Sequence, residues 1–161
     1  MKRIFFTLIM PALMLMVTTA WAGPYEEAMF AYEKGDYTVA VGKLRPLAEQ
    51  GNVTAQATLA LLYDTGYGVP QDLGEAVKWY RLAAAQGDKS ARYNLGQMYD
   101  TGQGVPQDNV RAYMWLDLSV AAGNDTAAVD RDAIAKKMTP KQIAAAKKLS
   151  SECQQGNKAC D

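Results

Sequence analysis

The sequence predicts an all-α protein: an α/α solenoid of helical hairpin repeats with a C-terminal helical cap. Three observations support this. A segment repeats itself at an offset of 36 residues, apolar residues recur at helical spacing, and glycine, proline and capping residues interrupt the pattern at regular intervals. The chain has 161 residues, 49% of them apolar and 21% charged, so it can form one folded domain and is too apolar for a disordered chain.

Residues 1–22 have the pattern of a cleaved export signal. Lys2 and Arg3 precede an apolar run over residues 4–17, and small residues follow up to an Ala-x-Ala site that ends at Ala22. An uncleaved anchor is the alternative, but the run is shorter than the roughly 20 apolar residues of a spanning helix. We expect cleavage after Ala22, a periplasmic or secreted location, and no integral membrane span in the mature chain.

The middle of the chain consists of repeats. Residues 63–66 (Tyr-Asp-Thr-Gly) return at 99–102, and residues 68–72 (Gly-Val-Pro-Gln-Asp) return at 104–108. This defines two full repeats, residues 52–87 and 88–123, and residues 23–51 fit the same unit with a shorter loop. Because one hairpin cannot cover its own apolar face, successive units are expected to stack.

Each repeat is predicted to contain two helices separated by a glycine- and proline-containing loop. In the second full repeat, apolar residues follow helical spacing over 91–99 and again over 112–119. Asp72 and Asp108 are placed to cap the second helices. Glu75 completes a capping-box spacing after Asp72, whereas Arg111 does not do so after Asp108, so the second loop is expected to be less tightly capped.

Residue size within the repeats predicts how the helices pack. Gly96 occurs where the first full repeat has Ala60, and a glycine inside a helix suggests a place where a side chain would not fit. Trp79 and Trp115 recur on the second helices and are expected to be buried between successive units.

Residues 124–161 leave the 36-residue pattern and are predicted to form the cap. A helix is expected from Asn124 or Asp125 to about Lys137, and Thr139, Pro140 and Gln142 indicate the start of another that ends near Gln154. In an oxidising compartment Cys153 and Cys160 are expected to form an intrachain disulfide, a reactive thiol or an intermolecular bridge being the alternatives.

The charge of the chain is divided between its two parts. Residues 23–130 carry a net charge of −6, and residues 131–161 a net charge of +4. The basic end is predicted to be a solvated helix face, and an acidic partner or an anionic envelope surface is the functional alternative. The whole chain has a formal charge of zero, which argues against nucleic acid as a partner.

The composition also restricts the chemistry. With no histidine in the chain, there is no imidazole base and no histidine-ligated metal, so we expect no cofactor, no metal site and no catalytic residues. Asp-Thr-Gly occurs at 64–66 and at 100–102, as in aspartic proteases. Equivalent residues of adjacent repeats lie about 8–10 Å apart, too far for two carboxylates to share a proton.

These repeats resemble the Sel-one-like repeat family, which is related to tetratricopeptide repeats. The resemblance is carried by residues 94–99 (Asn-Leu-Gly-Gln-Met-Tyr), by the Gly-x-Gly-Val-Pro-Gln-Asp loop, and by residues 76–80 and 83–88. Thr58 and Ala60 depart from the Asn and Gly that the motif prefers. The resemblance implies a non-catalytic scaffold that binds other proteins, often in bacterial envelope or secreted settings.

We therefore expect an exported adaptor that presents a concave surface to a protein or peptide partner, and self-association is possible. First helices usually line the inner curve in this family, and a small envelope hydrolase or a glycan- or small-molecule-binding protein on the same scaffold is the alternative. The candidate concave face mixes aromatic and acidic side chains, which would select a basic or amide-rich peptide. It consists of Glu26, Phe30, Glu33, Ala57, Leu61, Asp64, Tyr93, Gln97 and Asp100.

Overall fold

The computed structural model describes residues 23–155, and over that range the chain forms eight α-helices and no strand. The predicted leader, residues 1–22, and Cys160 lie outside the described residues. The helices are α1 (Pro24–Glu33), α2 (Tyr37–Glu49), α3 (Val53–Thr65), α4 (Leu73–Ala85), α5 (Lys89–Thr101), α6 (Asn109–Ala121), α7 (Asp125–Ala135) and α8 (Pro140–Gln154).

The helices stack as three successive hairpins followed by a cap, which confirms the predicted all-α solenoid. Helix α1 packs on α2, α3 on α4, and α5 on α6. Neighbouring hairpins meet where α2 contacts α3 and where α4 contacts α5, so each second helix packs on the first helix that follows it. Both α7 and α8 pack on α6.

Capping at the two long loops differs from the expectation. Asp72 accepts one hydrogen bond, from the backbone N–H of Glu75 at 3.0 Å, whereas Asp108 accepts two, from the N–H groups of Val110 and Arg111 at 2.9 and 3.1 Å. The expectation that the second loop is less tightly capped is therefore wrong.

The capping box expected at Asp72 is incomplete because the Glu75 carboxylate does not turn back toward the start of α4. Instead, it accepts a hydrogen bond from Trp79 Nε1 at 3.1 Å and pairs with Lys78 Nζ at 3.1 Å. At the start of α8, by contrast, Thr139 and Gln142 form the complete predicted capping box.

Close helix packing explains the small residues. A Cβ built on Gly96 would lie 2.6 Å from Leu116 Cγ, so only glycine fits where α5 meets α6. Trp79 and Trp115 are both buried, as predicted. The equivalent position of the first hairpin is the exposed Lys43, which pairs with Glu27 at 2.6 Å.

The long loops fasten neighbouring repeats together. Gly104 has φ +70°, and a Cβ there would lie 2.6 Å from the carbonyl oxygen of Leu73, at the start of the preceding second helix. Gly68 approaches the backbone of Tyr37 in the same way. Each loop therefore contacts the backbone of the hairpin before it, through a glycine that leaves room for this approach.

A second inter-repeat link is a hydrogen bond between side chains. Arg45 donates to the Tyr63 hydroxyl, and 36 residues later Arg81 Nη2 donates to the Tyr99 hydroxyl at 2.7 Å. At the third junction the arginine position holds Asp117. Asp117 instead forms an ion pair with Arg131 of α7 at 3.1 Å and accepts a hydrogen bond from Ser150 of α8 at 2.8 Å.

Candidate binding surface

The nine residues predicted to line the partner-binding face lie on α1, α3 and α5, three to a helix. We call them the first-helix face. None of the nine is buried: those on α1 are exposed, and those on α3 and α5 are partly exposed. The sequence therefore selected surface positions, and their surroundings differ from one helix to the next.

The α1 part is open and mixes apolar and acidic groups. Phe30 is 62% exposed, and Lys34 Nζ lies 5.3 Å from the centre of its ring. Phe30 and Glu26 line a groove of about 560 Å³ between α1 and α2. Glu33, near the end of α1, is exposed.

The α3 part borders a smaller pocket. Ala57 and Leu61 line a cavity of about 220 Å³ together with Tyr80 of α4 and Asn94 of α5. Tyr80 is only 1% exposed, and its hydroxyl lies near Asp64 and Asn94, outside ideal hydrogen-bond geometry. The two neighbours are the polar groups that face this buried hydroxyl.

Asp64 lies close to this hydroxyl, and its own environment is unusual. Partial burial raises the pKa of the Asp64 carboxyl, and the neighbouring Tyr80 hydroxyl opposes that shift. Burial and the nearby Asp64 charge together raise the pKa of Tyr80 well above its usual range, so Tyr80 stays neutral. The pair offers a hydroxyl donor beside a carboxylate acceptor.

The α5 part is already engaged within the chain. Asp130 of α7 accepts hydrogen bonds from the Tyr93 hydroxyl at 2.8 Å and from Gln97 Nε2 at 2.7 Å. Asp100 pairs with Lys137 at 3.4 Å. The cap therefore covers part of this third of the face, and the open part of the surface lies on α1 and α3.

Asp130 and Lys137 were not among the residues that the sequence identified. Both belong to the segment after the repeats, so no 36-residue partner draws attention to them. Nothing local in the sequence marks them, because each pairs with residues of α5 and not with a neighbour in its own segment.

Two other properties of the described chain bear on its chemistry. Within residues 23–155, no group of three or more His, Cys, Asp or Glu side chains is arranged to hold a metal ion. None of the helices over the same range is both long enough and apolar enough to span a bilayer. What the face offers is hydrogen bonding, negative charge and a few exposed apolar side chains.

Comparisons with known proteins agree with this architecture. The Sel1 repeat pattern matches residues 53–88 and 89–124. A protective antigen of uropathogenic Escherichia coli strains, which displays an SLR fold, superposes with a TM-score of 0.79 at 29% identity over 85% of this chain. A Sel1 repeat protein from Oxalobacter formigenes gives a TM-score of 0.62 at 30% identity over 68% of this chain.

The alignments span 31% of the Escherichia coli protein and 48% of the Oxalobacter protein. None of the curated proteins matches this sequence. The two matched repeats coincide with the α3–α4 and α5–α6 hairpins, and both solved structures share the helical stacking described above. The chain is therefore a Sel1-like repeat protein with an all-α solenoid fold.

Proposed function

We propose that this protein is an exported, non-catalytic adaptor that binds an extended peptide segment of another protein on the α1 and α3 part of the first-helix face. Sel1 repeat proteins generally act as helical scaffolds for protein–protein interaction. The observation that carries the proposal is the pocket between α3 and α5, which Ala57 and Leu61 of the first-helix face line, with the partly buried Asp64 carboxylate close to its Tyr80 wall.

The chemistry of this surface defines the peptide. Phe30 and Leu61 supply apolar contact, while Glu33 and Asp64 favour a basic or amide-rich segment over an acidic one. The Asp64 carboxylate, oriented by the neighbouring Tyr80 hydroxyl, would accept a hydrogen bond from a backbone or side-chain amide of the peptide. Tyr93 and Gln97 contribute less, because Asp130 already holds them.

The experiment is site-specific photocrosslinking in the producing cell. A crosslinking side chain at position 61 should capture one defined protein, and the same group at position 49 should not, because Glu49 is exposed on α2 and lies outside the face. A synthetic peptide covering the crosslinked stretch should then bind the purified protein, as measured by calorimetry.

Charge reversal tests the surface itself. Asp64→Lys should weaken peptide binding at least about tenfold, or about 1.4 kcal/mol, and Glu49→Lys should leave it unchanged. Asp100 is unsuitable for this test because it pairs with Lys137 of the cap. Equal crosslinking at positions 61 and 49, or full peptide binding by Asp64→Lys with its circular dichroism spectrum preserved, would refute the assignment.

We further propose that the protein is exported with removal of residues 1–22 and that Cys153 and Cys160 pair after export. The basic n-region, apolar core and Ala-x-Ala ending support the first statement. The short spacing of two cysteines in an oxidising compartment supports the second. Intact mass spectrometry of the purified protein tests both, since the mature N-terminus should be Gly23 and one disulfide should lower the mass by two hydrogens.

A further inference from the structure

Within residues 23–155, no helix precedes the first hairpin. The groove between α1 and α2 is lined by Phe30, Ala31 and Val39, and Phe30 and Val39 are 62% and 51% exposed. Both are large apolar side chains, which a protein seldom leaves exposed side by side without a use. Lys43 of α2 lies at this groove. The equivalent positions of α4 and α6 hold the buried Trp79 and Trp115.

Acidic side chains outnumber basic ones at this end groove, where Lys43 is on the lining and Lys34 lies beside Phe30. Glu26 and Asp36 are exposed beside it. A third carboxylate, Glu27, also lines the groove and is held by Lys43 at 2.6 Å. The groove therefore combines an apolar floor with two carboxylates that have no ion pair to a basic residue within the described part of the chain.

The other end of the chain presents the opposite charge. On α8, Ala146 and Ser150 are buried, and the opposite side of the helix is exposed. We call that exposed side the α8 stripe; it consists of Lys141, Ala144, Ala145 and Lys148. These residues follow i, i+3, i+4, i+7 spacing, so two alanines lie between two lysines on one side of the helix.

The α8 stripe is opposite in charge to the end groove, and one of its lysines, Lys148, also pairs with Glu152 at 3.7 Å. Alanine side chains let a helix approach a neighbouring surface closely, so Ala144 and Ala145 could rest against Phe30 and Val39. The flanking lysines would then lie near carboxylates of the groove rim. Opposite charges placed in this way fix the register of a contact and steer its formation.

The two ends of the described stack present different helices. At each junction between hairpins, a second helix packs on the first helix that follows it, as α2 does on α3 and α4 on α5. Within residues 23–155 the last helix is α8, which packs on α6, and no helix precedes α1. Placing α8 of one copy against α1 and α2 of another would set a last helix on a first hairpin between molecules.

From the end groove and the α8 stripe, we propose that the protein self-associates head to tail, with the α8 stripe of one copy in the end groove of a second copy. The contact joins two different surfaces, so it leaves one groove and one stripe free and can continue into a chain of copies. A single helix in a groove buries little area, so the association is concentration-dependent.

Two variants each block one end. Val39→Lys places a cation in the end groove, and Lys141→Glu with Lys148→Glu reverses the charge of the α8 stripe. A matched control, Lys136→Glu with Lys147→Glu, makes the same charge change at the same end but outside the stripe. All five positions are exposed, and circular dichroism checks that each variant is folded.

The experiment is sedimentation velocity on protein expressed from the full chain and purified as the cell processes it. The unmodified protein and the control should show masses that rise with concentration. Each blocked variant should associate at least about tenfold more weakly. A mixture of the two blocked variants should form a dimer that grows no further, because one intact groove meets one intact stripe.

The alternatives give different results. Association that survives in either blocked variant alone, or a mixture that does not form the limited dimer, would overturn the proposal. So would a protein that retains residues 1–22 and stays monomeric at all concentrations, since its own leader would then occupy the groove. Asp64→Lys, which tests peptide binding, should associate like the unmodified protein, so the two proposals can fail separately.

Discussion

Two glycines of one loop, Gly102 and Gly104, should differ sharply in their tolerance of a methyl group. Their φ angles are nearly equal, +74° and +70°. Replacing either by alanine forces an L-residue into the left-handed region at a cost of roughly 1–2 kcal/mol. The two sites differ in what the new Cβ meets.

At Gly102 the nearest atom is Gln107 Cβ at 3.4 Å, an ordinary close contact. At Gly104 the Cβ would lie 2.6 Å from the Leu73 carbonyl oxygen and 2.9 Å from the carbonyl carbon, which belong to the backbone of the preceding hairpin and cannot rotate away. Overpacking of this kind adds about 1–3 kcal/mol. We expect Gly102→Ala to lower the free energy of unfolding by about 1–2 kcal/mol and Gly104→Ala by about 2–5 kcal/mol.

Urea unfolding followed by circular dichroism at a helix band measures both variants under the same conditions. The informative quantity is the difference between them, because the shared cost of positive φ cancels. Equal destabilisation would refute the reasoning, since it would mean that the loop does not press on the preceding hairpin. A larger effect at Gly102 would refute it as well.

Arg81→Met and Tyr99→Phe should each cost about 1–2 kcal/mol, and a double-mutant cycle should give a coupling of at least about 0.5 kcal/mol; strictly additive losses would show that their hydrogen bond contributes nothing. Burial raises the pKa of Asp64 in the folded protein, so the folded state holds the proton more tightly than the unfolded state. The free energy of unfolding should therefore rise as pH falls from neutral through the folded-state pKa, and level off below the unfolded-state pKa. Asp64→Asn should raise the free energy of unfolding at neutral pH and flatten this dependence, as urea titrations at several pH values would show, whereas an unchanged slope would contradict it. Thr139→Ala removes the capping box of α8 and should cost about 1 kcal/mol, so an unchanged thermal midpoint would count against that cap.

Where local chemistry decides the structure, the sequence was sufficient. The helix predicted from Thr139 to about Gln154 is observed as α8 over Pro140–Gln154, because a Thr cap, a first-turn proline and a Gln at N3 leave little alternative. The helix predicted to end near Lys137 ends earlier, at Ala135. There the backbone N–H groups of Lys137 and Met138 turn back to Ile134 and Ala135, and Met138 enters the core. No breaker residue precedes that turn to signal it.

Contacts between repeats were harder to predict. Arg45 and Arg81 recur at 36 residues, as do Tyr63 and Tyr99, yet only the stacked structure shows that each arginine reaches the tyrosine 18 residues later. The cover over Tyr93 and Gln97 comes from Asp130, a residue outside the periodic pattern. Periodicity identifies which positions lie on the surface, but it does not show which of them the end of the chain will occupy.

The change from arginine to Asp117 at the third junction has a consequence for how such a protein can change in length during evolution. Tyr63 accepts a hydrogen bond from Arg45, and Arg81 is the equivalent arginine one repeat later. An arginine at the Arg81 position can therefore pair with a second copy of Tyr63. Duplication of the segment 53–88 in the gene would therefore create a new junction with a matched donor and acceptor. Duplication of 89–124 would place Asp117 against a tyrosine and separate one copy from Arg131 and Ser150. Gain or loss of repeats should thus occur before the last unit, while the last unit and its cap are inherited together.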